Sequence, residues 1–166
     1  MKKTLPLLIA LLFSMPLMAQ NKAADKEALP KVYNESIDAM DQIDKAIEQA
    51  QAEHKFVLCQ VGGNWCPWCL RFADFAEKDS VIAPIIKDNY VWIHVNTSKA
   101  NKNLEAMKRL DNPGRFGYPV FVILDADGKR IHTQNSAYLE EGKGYSQKKV
   151  SEFLLNWTEK AINQLK

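Results

Sequence analysis

Cys66 and Cys69, three positions apart in Trp65-Cys66-Pro67-Trp68-Cys69, are the residues of this chain best suited to chemistry. On a helix, such a spacing brings β-carbons to roughly 5–6 Å, and a disulfide needs its α-carbons about 4.4–6.8 Å apart. The pair can therefore close and reopen with little backbone motion. Pro67 falls where proline is best tolerated, at the first helical position, which puts Cys66 at or beside the N-cap. The free amides and positive dipole end found there favour thiolate over thiol, and thiolate is the species that attacks disulfides. Cys66 is expected to be the nucleophile that forms a mixed disulfide, and Cys69 the thiol that resolves it.

Other uses of the pair fit less well. A C-x-x-C can be half of a zinc site, but the remaining ligand types, Cys59, His54, His94 and His132, stand at unrelated spacings, so no metal is expected. A permanent structural disulfide across so short a loop would remove little unfolded-chain entropy. Cys59 lies in an apolar run and is expected to be an inert small hydrophobe. Nothing suggests a nucleotide, flavin or haem site, and no cofactor is expected.

The dithiol needs elements to hold it. Ile37, Met40, Ile43, Ile47 and Ala50 recur at three- and four-residue steps and predict an amphipathic helix. Phe56 to Val61 is a nearly continuous apolar run, as in a central strand buried on both faces. Gly62-Gly63-Asn64 breaks it, and Cys66 to Lys78 reads as a helix. Asp79 or Ser80 can cap a further helix carrying Val81, Ile82, Ile85 and Ile86. Tyr90 to Val95 is a second strand, rich in β-branched and aromatic residues, and Leu104, Met107 and Leu110 mark another helix. Val120 to Leu124, a turn at Asp125 to Gly128, and Lys129 to Thr133 form a hairpin. A last helix shows Val150, Phe153, Leu154, Trp157, Ala161 and Leu165 on one face, with Ser146 as its cap. Strands separated by helices imply parallel crossovers and the hairpin implies antiparallel pairing. An α/β fold with a small mixed sheet flanked by helices follows.

The chain has 166 residues, 46% hydrophobic and 25% charged, with a net charge of +2. That is ordinary globular usage, and its interspersed charges form no one-sided basic patch, so no nucleic-acid partner is expected. Met1-Lys2-Lys3 followed by apolar Leu5 to Met18 resembles a secretory leader. The division expected is a signal peptide over residues 1–19, a flexible lead-in over 20–33 and one domain over 34–166. The leader is shorter than the about 20 apolar residues of a membrane span, so no stable span is expected after processing. Export to the periplasm, or alternatively secretion, puts the domain where disulfides persist.

Gly63-Asn64-Trp65-Cys66-Pro67-Trp68-Cys69, followed far downstream by Gly117-Tyr118-Pro119-Val120-Phe121, resembles the thioredoxin superfamily from about Phe56 to Leu165. The resemblance implies a three-layer fold with a central sheet of about four to five strands. It also implies that Trp65 shapes the rim of the site, that Pro119 is cis and faces the dithiol, and that Tyr118 offers backbone hydrogen bonds to an extended substrate segment. A trans turn at Tyr118-Pro119 is the plainer alternative. Pro67 and Trp68 are added to the expected substrate surface, although Trp68 can equally be a shield over the sulfur. One departure stands out: the buried acid that thioredoxins commonly carry six residues before the first cysteine is here Gln60, a neutral amide that cannot act as a base. His94 is a substitute by resemblance, and a plain strand histidine otherwise.

Thiol–disulfide exchange on cysteines or disulfides of exported proteins is thus the expected activity, in the reducing or isomerising direction rather than as a primary oxidant. An unidentified redox partner would recharge the dithiol, and the protein is expected to act as a monomer. The alternative is a peptide-binding module that keeps the fold without redox turnover.

Overall fold

The computed structural model describes residues 28–164, and the leader read over residues 1–19 lies outside them. A helix α1 (Ala39–Glu53) opens on Asp38, whose carboxylate accepts from the Met40 amide. It is followed by the strand β1 (Phe56–Gly62), α2 (Pro67–Lys78), α3 (Ile82–Asn89), β2 (Tyr90–Asn96) and α4 (Leu104–Arg109). A 3-10 turn at Pro113–Phe116 leads to β3 (Val120–Leu124) and β4 (Arg130–Asn135). A second 3-10 turn, Ser136–Leu139, and a small hairpin of β5 (Glu140–Glu141) and β6 (Gly144–Tyr145) precede α5 (Gln147–Asn156) and α6 (Glu159–Asn163).

The main sheet has the order β2-β1-β3-β4. β1 runs parallel to β2 and antiparallel to β3, with Val61 opposite Val95 on one side and Val120 on the other. Every residue of β1 is buried, which explains the unbroken apolar run: a central strand covered on both faces has no solvent side. Its alternation divides the core. Val57, Cys59 and Val61 face a layer with Ile43, Ile47 and Ala50 of α1 and Met107 of α4. Phe56 and Leu58 face Phe72 of α2, Ile82 and Ile86 of α3, and Val150, Phe153 and Leu154 of α5. These are the two helical layers of a three-layer α/β fold.

Three details differ from the sequence reading. The last helix is two: α5 ends at Asn156, and the Thr158 hydroxyl caps a new start by accepting from Ala161 N at 3.1 Å. A single apolar stripe spans both segments, so periodicity hides the break. β4 begins at Arg130 and runs on to Asn135, because Lys129 is spent closing the turn through its hydrogen bonds with Asp125. The β5–β6 hairpin was not foreseen, since two-residue strands carry too little pattern to register. Among the described residues, no helix is long and apolar enough to cross a membrane.

Candidate active site

The dithiol stands where β1 hands over to α2. The Cys66 amide donates to Gly63 O at 3.0 Å, a tight turn that ends in the extended N-cap conformation of Cys66 itself. Pro67 then opens the helix, where its missing N–H removes no helical bond. Cys66 and Cys69 are joined as a disulfide, with α-carbons 5.3 Å apart. The Cys69 amide donates to Cys66 Sγ at 3.2 Å, so the sulfur occupies the capping position of a helix of 12 residues. A negative charge on that sulfur would gain both a hydrogen bond and the field of the helix end. Cys69 is fully buried, while Cys66 retains a narrow opening of 4%.

Several predicted site residues gather around this pair. The Tyr118–Pro119 bond is cis, and Pro119 is buried at the entry to β3. Gly117 precedes it at φ +87°, a left-handed conformation that side chains disfavour. Tyr118 packs against the cluster holding Cys66 and Cys69 and meets Trp65 edge-to-face at 5.3 Å. Trp65 is 53% exposed yet fixed, since its indole N–H donates to Thr97 O at 2.8 Å. Pro67 is exposed beside it. Trp68 is placed differently: it is half-buried against the dithiol cluster, edge-on to Tyr145 at 5.7 Å, with Arg71 over its face. Trp65 is thus the more open of the two rings, and Trp68 stands half-buried between the dithiol cluster and Tyr145.

Beyond Trp65 and Tyr118 lies an open, mainly apolar groove of about 940 Å³, extended by Leu104 and Met107 and bordered by Lys102 and Arg115. Tyr118, which also packs against the dithiol cluster, forms part of its wall.

One participant, Tyr33, was missed by sequence reasoning, and it joins Asn64 of the motif and the Gln60 already singled out. Tyr33, in the segment read as a flexible lead-in, is buried and packs with Leu29 and Val32 against the dithiol cluster. Its main chain is held on both sides by one amide: Tyr33 N donates to Asn64 Oδ1 at 3.1 Å and Asn64 Nδ2 donates to Tyr33 O at 2.8 Å. Gln60 is fully buried, and its Nε2 donates to Tyr33 Oη at 2.8 Å and to Cys69 O at 2.9 Å. One tyrosine in a polar stretch carries no periodicity that would have flagged it.

Burial sets the electrostatics. It pushes the Cys59 thiol up to about 12, leaving a neutral core side chain. It holds His94 down at about 4, so this ring is neutral at ordinary pH and a poor proton acceptor. Its ring neighbours are Tyr33 at 5.4 Å and Trp92 at 4.6 Å. Among the described residues, no three His, Cys, Asp or Glu side chains group so as to hold a metal ion.

Comparison with known proteins agrees with this geometry. A family model described as thioredoxin-like matches residues 38–126. A curated relative, the disulfide bond reductase DsbH of Chlamydia pneumoniae, is 24% identical over 93 residues, covering 52% of this chain and 56% of that one. The chain thus spans little more than half the length of that relative. A solved disulphide isomerase from Xylella fastidiosa Temecula1 superposes with a TM-score of 0.67 at 26% identity, over 78% of this chain and 98% of the other. A thioredoxin from Thermus thermophilus shares the fold, with a TM-score of 0.52 at 19% identity over 71% and 85%.

Proposed function

The chain belongs to the thioredoxin-like family, and from that premise we propose that it is a thiol–disulfide oxidoreductase acting on cysteines of exported proteins in the periplasm. The observation that carries this reading is Cys66 Sγ at the N-cap of α2, accepting the amide proton of its own disulfide partner. In the reducing direction, the Cys66 thiolate attacks a client disulfide, and one client sulfur leaves as thiolate. Cys69 then gives up its proton to that thiolate and attacks Cys66 Sγ. The second client sulfur leaves as a thiolate and takes its proton from water. Two electrons pass from the dithiol to the client, and a redox partner must return them. In isomerisation, a second client cysteine resolves the mixed disulfide instead, and the dithiol is regenerated.

The isomerase and reductase among its relatives support the reducing or isomerising direction. Trp65, Pro67, Tyr118 and the mouth beside Pro119 would form the surface on which an extended client segment lies, with the half-buried Trp68 at its edge. The leader-like residues 1–19 motivate export.

Insulin reduction tests the activity. The parent chain should accelerate precipitation of the insulin B chain, and Cys66→Ser should fall to background. Cys69→Ser should instead accumulate adducts that migrate as mixed disulfides on non-reducing gels. Equilibration in glutathione buffers, followed by thiol alkylation, gives the potential. A strongly oxidising value overturns the reducing direction. Fractionation of cells producing the full chain tests its location.

A further inference from the structure

Resting on that reading, the structure raises a question about its second step. Cys69 is fully buried, and a buried thiol resists ionisation unless something receives the charge of its thiolate. Two polar groups stand beside it. One is the amide of Gln60, whose NH2 group donates to the carbonyl of Cys69 itself and whose Oε1 is buried without a partner. The other is the hydroxyl of Tyr33.

Gly62 shows how close that hydroxyl is. A β-carbon on Gly62 would stand 2.5 Å from Cys69 Sγ and 3.0 Å from Tyr33 Oη, so sulfur and hydroxyl border the same small space, left open by a missing side chain. Tyr33 Oη already accepts a hydrogen bond from Gln60 Nε2, which leaves its own proton to be donated elsewhere. Its ring is fixed from two directions, by the Asn64 clamp on its main chain and by the edge-on contact with His94.

We infer that Tyr33 is the hydrogen-bond donor to the Cys69 thiolate, polarised by Gln60, and that the segment ahead of α1 thereby sets the rate at which the mixed disulfide is resolved. Tyr33 keeps its proton throughout. The proton lost by Cys69 passes to the client thiolate released in the first step, and no further reactant is needed. Burial raises the phenol's own ionisation, which keeps it a donor at every pH at which the protein would work.

The titratable groups facing this pocket come from every side. They are Cys66, His94 of β2, Tyr118 ahead of β3 and Tyr145 of β6, with Arg71 of α2 over the Trp68 ring. His94 titrates near 4, well below the range in which a thiol ionises, so its charge does not blur the measurement.

The test is Tyr33→Phe, which keeps the ring and the main-chain clamp and removes one oxygen. In a reduced Cys66→Ser background, the 13Cβ shift of Cys69 followed against pH reports its ionisation. Without the hydroxyl, the thiolate fraction at a given pH should fall about tenfold, one unit in midpoint, as expected for losing a charged hydrogen bond. With both cysteines present, mixed disulfides should decay about tenfold more slowly, while the rate at which Cys69→Ser forms adducts through Cys66 is unchanged by adding Tyr33→Phe. Gln60→Met, which leaves the hydroxyl but removes its donor, should move the Cys69 midpoint in the same direction by less. A Cys69 midpoint that is the same with and without the hydroxyl overturns the role of Tyr33 and leaves the exchange reaction standing. A parent chain whose dithiol does not cycle defeats the exchange reading itself.

Discussion

His94 holds its ring Nε2 buried and without a partner, and burial keeps its ionisation near 4, against 6.5 when free. Between those values the unfolded chain binds more protons than the folded one, so stability rises with pH across that window. It is lost as pH falls from 6.5 toward 4, by at most about 3 kcal/mol at the conversion of 1.36 kcal/mol per unit. Urea unfolding midpoints of the parent should drop across this interval, and those of His94→Phe should drop less; parallel profiles would mean that another group carries the acid sensitivity. Cys59 gives a second expectation. Fully buried and raised to about 12, it should resist maleimide labelling in the reduced native protein and react only in denaturant. The placing of this thiol in the core was legible in the sequence, because it sits in a run with no solvent side. The Tyr33–Gln60 contact was not, because it joins positions 27 apart whose residue types carry no shared pattern.

At the scale of elements, α2 has two duties. Its first turn presents the dithiol, and its second puts Phe72 into the core, where the ring meets Phe121 at 4.3 Å, Tyr145 at 5.0 Å and Trp92 at 6.3 Å. Phe72→Ala should cost about 3–5 kcal/mol in chemical denaturation, the usual range for emptying a buried aromatic site. Loss of less than about 1 kcal/mol would mean that the helix is held mainly elsewhere. Gly62→Ala probes the other end of the handover: a β-carbon 2.5 Å from Cys69 Sγ cannot be accommodated without a shift, so both stability and insulin reduction should fall. Most of these elements were readable in advance. The apolar run of β1, the proline at the start of α2 and the motif at Tyr118-Pro119 each report a local requirement. What escaped were features that depend on tertiary partners, namely the Thr158 cap that divides the last helix and the β5–β6 hairpin that brings Tyr145 to Trp68.

For the molecule as a whole, the stretch before α1 is part of the site. Residues 20–33 read as a lead-in because they are polar, and of these 28–33 are described, with Tyr33 buried and Leu29 and Val32 packed beside it. A chain beginning at residue 35 would leave the Asn64 amide without Tyr33 and the Gln60 amide without its hydroxyl acceptor. Relative to one beginning at residue 28, it should unfold with about 2–6 kcal/mol less stability, from two unpaired amides at roughly 1–3 kcal/mol each. Equal urea midpoints would show that the strap is bound too weakly to matter. The shared position of Cys66, as both reactive sulfur and helix cap, has one more outcome. Because the S–S bond and the folded helix share atoms, the oxidised and reduced forms must melt at different temperatures unless the potential equals that of an unfolded dithiol, and the sign of the gap tells whether the folded pair is the more reducing or the more oxidising of the two. A more reducing folded pair should melt higher when oxidised. Two thermal scans, one with reductant and one without, would thus serve as a voltmeter.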